Sequence, residues 1–123
     1  NVLLIDDDAE DTEIFVTAMR AVSTKVACRA MYNASEALEK LESGEIKPEV
    51  IFLDLNMPIM NGQKFLEEIK KNPDLRDIPV IIFSTSSQPG TIRLTKELGA
   101  HDFITKPESF DGLVKILSPI FAS

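Results

Sequence analysis

Residues 50–54 read Val50-Ile51-Phe52-Leu53-Asp54, four apolar residues closed by a carboxylate, and the same pattern recurs along the chain. Val2-Leu3-Leu4-Ile5 runs into Asp6-Asp7-Asp8, Val80-Ile81-Ile82-Phe83 into Ser84, and Phe103-Ile104-Thr105 into Lys106. Short runs rich in Val, Ile and Phe, separated by stretches of helical period, predict an α/β fold built on a parallel sheet. Parallel strands would bring these four C-terminal ends to one edge. Carboxylates, a hydroxyl and an ammonium group then meet in one crevice, a set suited to a metal ion and a phosphoryl group.

The intervening segments supply the helices. Ile14, Phe15, Ala18, Met19 and Val22 share a face after the first strand. A second strand is expected over Lys25–Met31. Asn33 then reads as a helix N-cap with Glu36 three residues on, followed by Ala34, Ala37, Leu38 and Leu41 on one face and a stop at Gly44. Phe65, Leu66 and Ile69 mark a helix ended by Pro73. A weaker helix from Pro89 to Leu98 carries Ile92, Leu94 and Leu98, with Gly99 as its stop. The fifth strand is expected over Asp102–Thr105, and Phe110, Leu113, Val114, Leu117, Ile120 and Phe121 define the last helix.

Strict alternation of five strands and five helices predicts a doubly wound, flavodoxin-like parallel sheet of order 2-1-3-4-5, joined by right-handed crossovers. In such sheets ligands sit beyond the strand ends at the topological switch point. Here that point lies between the first and third strands, which end in Asp6-Asp7 and Asp54.

A chain of 123 residues suits one domain, 1–123, with a single core. No apolar run approaches the ~20 residues that span a bilayer, and no signal-peptide pattern is present. A net charge of −7 without any Lys/Arg run argues against direct nucleic-acid binding. The one cysteine, Cys28, excludes an internal disulfide, is expected to pack in a strand, and fits a reducing, cytoplasmic compartment. His101 has no second ligand nearby and is expected in a loop or at a strand edge. Met57 and Met60 read as loop packing, and Glu67, Glu68, Lys70 and Lys71 as a solvated helix face.

Crowded carboxylates repel one another unless a cation sits among them. Mg²⁺ suits them, because it takes oxygen ligands, keeps several waters and commonly uses one or two carboxylates plus phosphate oxygens. Asp54 is then placed to attack a phosphoryl donor, with Lys106 and Ser84 stabilising the transferred group. Any one of these residues alone could equally cap a helix or sit in a solvated loop. Four at successive strand ends favour the chemistry.

The segment Asp54-Leu55-Asn56-Met57-Pro58-Ile59-Met60-Asn61-Gly62 resembles the phosphoacceptor loop of response-regulator receiver domains of two-component signalling. The acidic pair after the first strand, Ser84 after the fourth and Lys106-Pro107 after the fifth complete that pattern in order, over essentially the whole chain. The resemblance implies that Asp54 accepts phosphate from a sensor histidine kinase or a histidine phosphotransfer protein. It implies Mg²⁺ held by Asp7, Asp54 and the main-chain carbonyl of Asn56, with Asp6 helping through water. It also implies that Lys106 and Ser84 bind phosphoryl oxygens, that Phe103 is the aromatic switch, and that Lys106-Pro107 is a cis peptide. Asn56 and Ser86 resemble positions that tune phosphoryl lifetime. The fourth helix, fifth strand and fifth helix resemble the family's output face, for a downstream protein or a homodimer. Ser84 stands where threonine is frequent and Phe103 where tyrosine is, so no hydroxyl is offered from position 103.

On this reading the chain is a signalling switch that catalyses only its own phosphotransfer and dephosphorylation, not an enzyme acting on other substrates. Two rivals have weaker support. Asp6-Asp7-Asp8 also resembles the nucleophile motif of haloacid-dehalogenase-type phosphatases, with Asp6 attacking. That leaves Asp54-x-x-Met57-Pro58 unexplained and lacks a later acidic motif on a strand. A flavodoxin-like cofactor binder would want a hydroxyl- and glycine-rich phosphate loop where three aspartates stand. Asp8 is expected to lead into the first helix rather than join the chemistry. The start at Asn1 leaves room for upstream residues. No output domain is expected within this chain after the last helix, and the sequence fits either a stand-alone receiver or one cut from a larger chain.

Overall fold

A computed structural model describes residues 1–55, 61–85 and 88–121. Strands and helices alternate among the described residues as β1 (Val2–Ile5), α1 (Ala9–Val22), β2 (Cys28–Met31), α2 (Ala34–Glu42), β3 (Val50–Leu53), α3 (Gly62–Lys71), β4 (Val80–Ser84), α4 (Pro89–Glu97), β5 (Asp102–Thr105) and α5 (Phe110–Phe121). The strands form one parallel sheet in the order β2-β1-β3-β4-β5. This is the doubly wound order expected from the alternation.

Central strands read as continuous apolar runs because helices cover both faces of the sheet. On one face Leu3, Ile5, Ile51, Leu53, Val80 and Ile82 pack with Ala37 and Leu41 of α2 and Phe65, Leu66 and Ile69 of α3. On the other, Val2, Leu4, Phe52, Ile81 and Phe83 pack with Phe15, Ala18 and Met19 of α1 and Leu113 and Leu117 of α5. Phe15 anchors this second layer, its ring centroid 5.0 Å from Phe52 and 5.5 Å from Phe83 in tilted, edge-on geometry. Such pairs add about 0.5–1.5 kcal/mol to simple burial.

Local signals set the helix ends. Asn33 caps α2 by accepting the Glu36 N–H at 3.1 Å, and Asn61 caps α3 by accepting the Lys64 N–H at 2.9 Å. Gly44 and Gly99 take φ values of 78° and 103°, a left-handed conformation that ends α2 and α4 without a Cβ clash.

Three expectations shift. β2 is shorter than Lys25–Met31: Ala27 lends its carbonyl to the Val2 N–H at 2.8 Å, but regular pairing begins only at Cys28. On α4, Leu94 is exposed and Thr95 is buried instead, its hydroxyl donating to the Thr91 and Ile92 carbonyls. α4 covers the edge of the sheet, where a narrow stripe suffices. On α5, Leu113 and Leu117 carry the burial while Phe110 and Ile120 are exposed.

Candidate functional site

The sheet ladder delivers the site residues to one edge. Ile5 pairs with Leu53, so Asp6 and Asp54 leave neighbouring strands at the same level. The Asp6 N–H donates to the Met31 carbonyl and the Asp54 N–H to the Ile5 carbonyl, both at 3.0 Å. Ser84 pairs with Thr105, and the Lys106 N–H donates to the Ser84 carbonyl at 2.9 Å. Ser84 is fully buried, Asp6 and Asp54 are buried, and Asp7 is exposed.

One carboxylate oxygen from each of Asp6, Asp7 and Asp54 lies within 4.8 Å of the other two. Three hard oxygen donors at that spacing, with one side open to solvent, fit a Mg²⁺-sized cation that retains waters. The Asn56 carbonyl expected as a further ligand lies outside the described residues, as do Ser86 and the Met57–Met60 stretch.

Lys106 crosses from β5 to the acidic cluster. Its Nζ donates to Asp6 Oδ2 at 2.7 Å and to Asp11 Oδ2 at 3.0 Å, and stands 3.6 Å from Asp54 Oδ2. Burial by itself would lower its pKa, but the hydrogen bonds to Asp6 and Asp11 and the Asp54 charge outweigh it and hold the ammonium well above its ordinary value. It therefore remains charged throughout the physiological range. The ammonium also lies 5.7 Å from the centroid of the Phe83 ring, within cation–π range. The peptide bond from Lys106 to Pro107 is trans, which corrects the cis expectation. Trans is favoured by about 0.5–1 kcal/mol before proline, and from it the lysine already reaches the carboxylates.

The remaining expectations sort by position. Asp8 is the N-cap of α1, its Oδ1 accepting the N–H groups of Glu10 and Asp11 at 2.9 and 3.1 Å. Phe103 is partly buried on β5 against the core layer shared with α2 and α3. His101 is exposed at the entry to β5, with its N–H donating to the Val80 carbonyl at 2.8 Å. Lys70 is more than a solvated residue, since its ammonium donates to the Arg76 carbonyl at 2.9 Å. Sequence reasoning missed Asp11. Its only signal was a place in the acidic stretch after β1, one helical turn beyond the aspartate pair.

A family model described as the response regulator receiver domain matches residues 2–118. The chain belongs to that family. This receiver domain is 45% identical over 111 residues to the protein-glutamate methylesterase/protein-glutamine glutaminase of Treponema pallidum, covering 86% of the chain but 26% of the relative. The chain thus spans about a quarter of that relative's length. Response regulator Rcp1 of Synechocystis sp. is 29% identical over 124 residues, covering 97% of the chain and 84% of Rcp1. The crystal structure of the Mn(2+)-bound form of response regulator Rcp1 matches the receiver fold with a TM-score of 0.86 at 27% identity, over 97% of this chain and 89% of that one. That of the phosphorylated cyanobacterial phytochrome response regulator RcpA gives 0.88 at 28% identity, with the same two coverages.

The haloacid-dehalogenase alternative finds no support in these comparisons. Its nucleophile, Asp6, is also poorly placed for attack. One oxygen accepts the Asp8 N–H at 3.0 Å, the other binds Lys106, and the side chain is buried.

Proposed function

We propose that residues 1–123 act as one receiver unit in which Asp54 accepts a phosphoryl group from a phosphohistidine on a sensor kinase or phosphotransfer protein. The observation that carries this reading is the Lys106 ammonium bound to Asp6 and set 3.6 Å from Asp54 Oδ2, beside the three-carboxylate cluster. In the transfer an Asp54 carboxylate oxygen attacks phosphorus and forms the O–P bond. The P–N bond breaks, its electron pair goes to the donor imidazole, and that ring takes up a proton. Lys106 and the Ser84 hydroxyl bind phosphoryl oxygens. Asp7, Asp54 and the Asn56 carbonyl, with Asp6 helping through water, would hold Mg²⁺, which would supply charge neutralisation for the phosphoryl oxygens.

The chain catalyses this transfer only on itself, and likewise the later hydrolysis, in which water attacks phosphorus, the Asp54 O–P bond breaks and the carboxylate leaves with release of inorganic phosphate. Asn56 and Ser86, each two residues beyond a site residue in the sequence, tune how long the phosphoryl group survives. Phosphorylation draws Ser84 towards the new charge and Phe103 turns inward behind it, reshaping the α4–β5–α5 surface for a protein target or a second receiver. A groove of about 210 Å³ between α4 and β5, lined by Ile92, Thr95, His101, Phe103 and Thr105, offers room for that rearrangement. The energy scale suits a switch. Two or three charge-assisted hydrogen bonds at roughly 1.5–3 kcal/mol each compare with about 5.5 kcal/mol for moving a 1:99 equilibrium to 99:1. No helix among the described residues is long and apolar enough to cross a membrane, and a cytoplasmic setting with a kinase partner accords with this reading.

The test is incubation with acetyl phosphate and Mg²⁺ followed by intact-mass measurement. A single phosphoryl adduct should form and should disappear in Asp54→Asn. An adduct that persists in Asp54→Asn but is lost in Asp6→Asn would return the phosphatase reading.

A further inference from the structure

We propose that Asp11 is a positioning residue for Lys106, holding the ammonium on the α1 side of the crevice and so limiting its competition with a divalent cation for the Asp54 carboxylate. The inference rests on the metal and acceptor roles proposed for the carboxylate cluster. An ammonium has three N–H donors. Hydrogen bonds to Asp6 and Asp11 occupy two of them, while the 3.6 Å separation from Asp54 Oδ2 exceeds hydrogen-bond length.

Lysine and a divalent cation compete for the same oxygens. Asp6 and Asp54 belong both to the three-carboxylate cluster and to the surroundings of Lys106. Where the ammonium rests therefore sets how much of the Asp54 charge remains for a metal. Asp11 lies outside that cluster of three, so its influence runs through Lys106.

The placement of Asp11 suits an anchor. It comes from the first turn of α1, and its own N–H is fixed on the Asp8 cap at 3.1 Å. Its side chain is 42% exposed, so its charge is held without the desolvation cost that a buried carboxylate carries. Remove this partner and Lys106 has Asp6 and Asp54 left to bind. The ammonium then moves toward the acceptor and excludes the cation.

Mn²⁺ titration calorimetry on the unphosphorylated protein tests this, with wild type, Asp54→Asn, Asp11→Asn, Asp11→Glu, Lys106→Met and the Asp11→Asn/Lys106→Met double variant. Asp11→Asn should weaken Mn²⁺ binding roughly tenfold, the low end of what outer partners of metal ligands contribute. Asp11→Glu, which restores the carboxylate, should recover most of that loss. With Lys106 already replaced, Asp11→Asn should cost less than about twofold, the scatter expected of independent sites.

Wild-type affinity in Asp11→Asn overturns the proposal. So does an equal loss with and without Lys106, which would mark Asp11 as a bare charge. If the Lys106 variants do not fold, failure of Asp11→Glu to rescue binding is decisive in their place. Wild-type protein that binds no Mn²⁺, or Asp54→Asn that binds it as wild type does, overturns the site reading first and the role of Asp11 with it.

Discussion

Gly62 packs its bare Cα against the main chain of Asp54, so closely that an added Cβ would lie 2.6 Å from the Asp54 carbonyl oxygen. The same Cβ would come 2.7 Å from the Leu55 Cα, and the Gly62 N–H already donates to the Leu55 carbonyl at 3.0 Å. Neither neighbour can yield by rotating a side chain, because both are backbone. Gly62→Ala is therefore expected to cost about 1–3 kcal/mol, the range for overpacking a tight contact. The displaced backbone carries Asp54, the proposed acceptor, so phosphate incorporation should fall by more than the loss of folded protein explains. Thermal melts paired with intact-mass measurement of acetyl phosphate labelling check this. A variant that melts and labels like wild type would show that the approach is not constraining.

Lys106 joins carboxylates that would otherwise repel. Replacing it by methionine leaves Asp6 buried without its ammonium partner. The expected cost is about 3 kcal/mol, the low end for unpairing a buried ion. Because a divalent cation neutralises the same carboxylates, Mg²⁺ should return part of that stability to Lys106→Met and add more to it than to wild type. Urea denaturation with and without Mg²⁺ measures both effects. Equal stabilisation of the two proteins would separate Lys106 from the metal site.

The strand ends at this site were legible in the sequence because β1, β3 and β4 are covered on both faces. Runs such as Val50-Ile51-Phe52-Leu53 are then apolar without interruption, and the first polar residue marks the edge of the sheet. The edge strand β2 was harder to bound, since its Arg29 faces solvent and its hydrophobic pattern fades toward Lys25. α4 misled for a related reason. A helix lying over a sheet edge needs little apolar surface, so Thr95, with its hydroxyl turned back on its own helix, is buried while Leu94 is left outside. Asp11 was illegible on other grounds. Its contact with Lys106 spans 95 residues and depends on α1 packing beside α5, which brings its first turn to the residue after β5, a packing relation with no local sequence signal.

Cys28 gives a pH signature independent of the site. Burial pushes its thiol up from 9.0 to about 11, against the opposing pull of the Arg20 charge. The folded-state pKa is raised, so between pH 9.0 and about 11 the unfolded chain loses the thiol proton while the folded one keeps it. Stability linked to this group is thus fully present below pH 9.0 and is lost as pH rises through about 11. Urea midpoints measured across that window should fall more steeply in wild type than in Cys28→Ala. At pH 8 the native thiol should react slowly with a disulfide reagent and rapidly once unfolded. Parallel midpoints for the two proteins would refute the assignment.

The three consecutive aspartates after β1 should separate by experiment. Asp8 caps α1 through two hydrogen bonds, whereas Asp6 and Asp7 face the cluster with Asp54. Asp8→Ala removes the cap and is expected to cost about 1 kcal/mol, as N-cap replacements typically do. Asp8→Asn keeps an oxygen acceptor for Glu10 and Asp11 and should recover nearly all of it. Asp7→Asn should show the converse, with stability near that of wild type and Mn²⁺ affinity sharply reduced, since it removes one of the three clustered carboxylates proposed to hold the cation. Denaturation midpoints and Mn²⁺ calorimetry on the same preparations distinguish the two. Strong Mn²⁺ loss in Asp8→Asn would place Asp8 inside the metal site. Unchanged Mn²⁺ binding in Asp7→Asn would remove Asp7 from it.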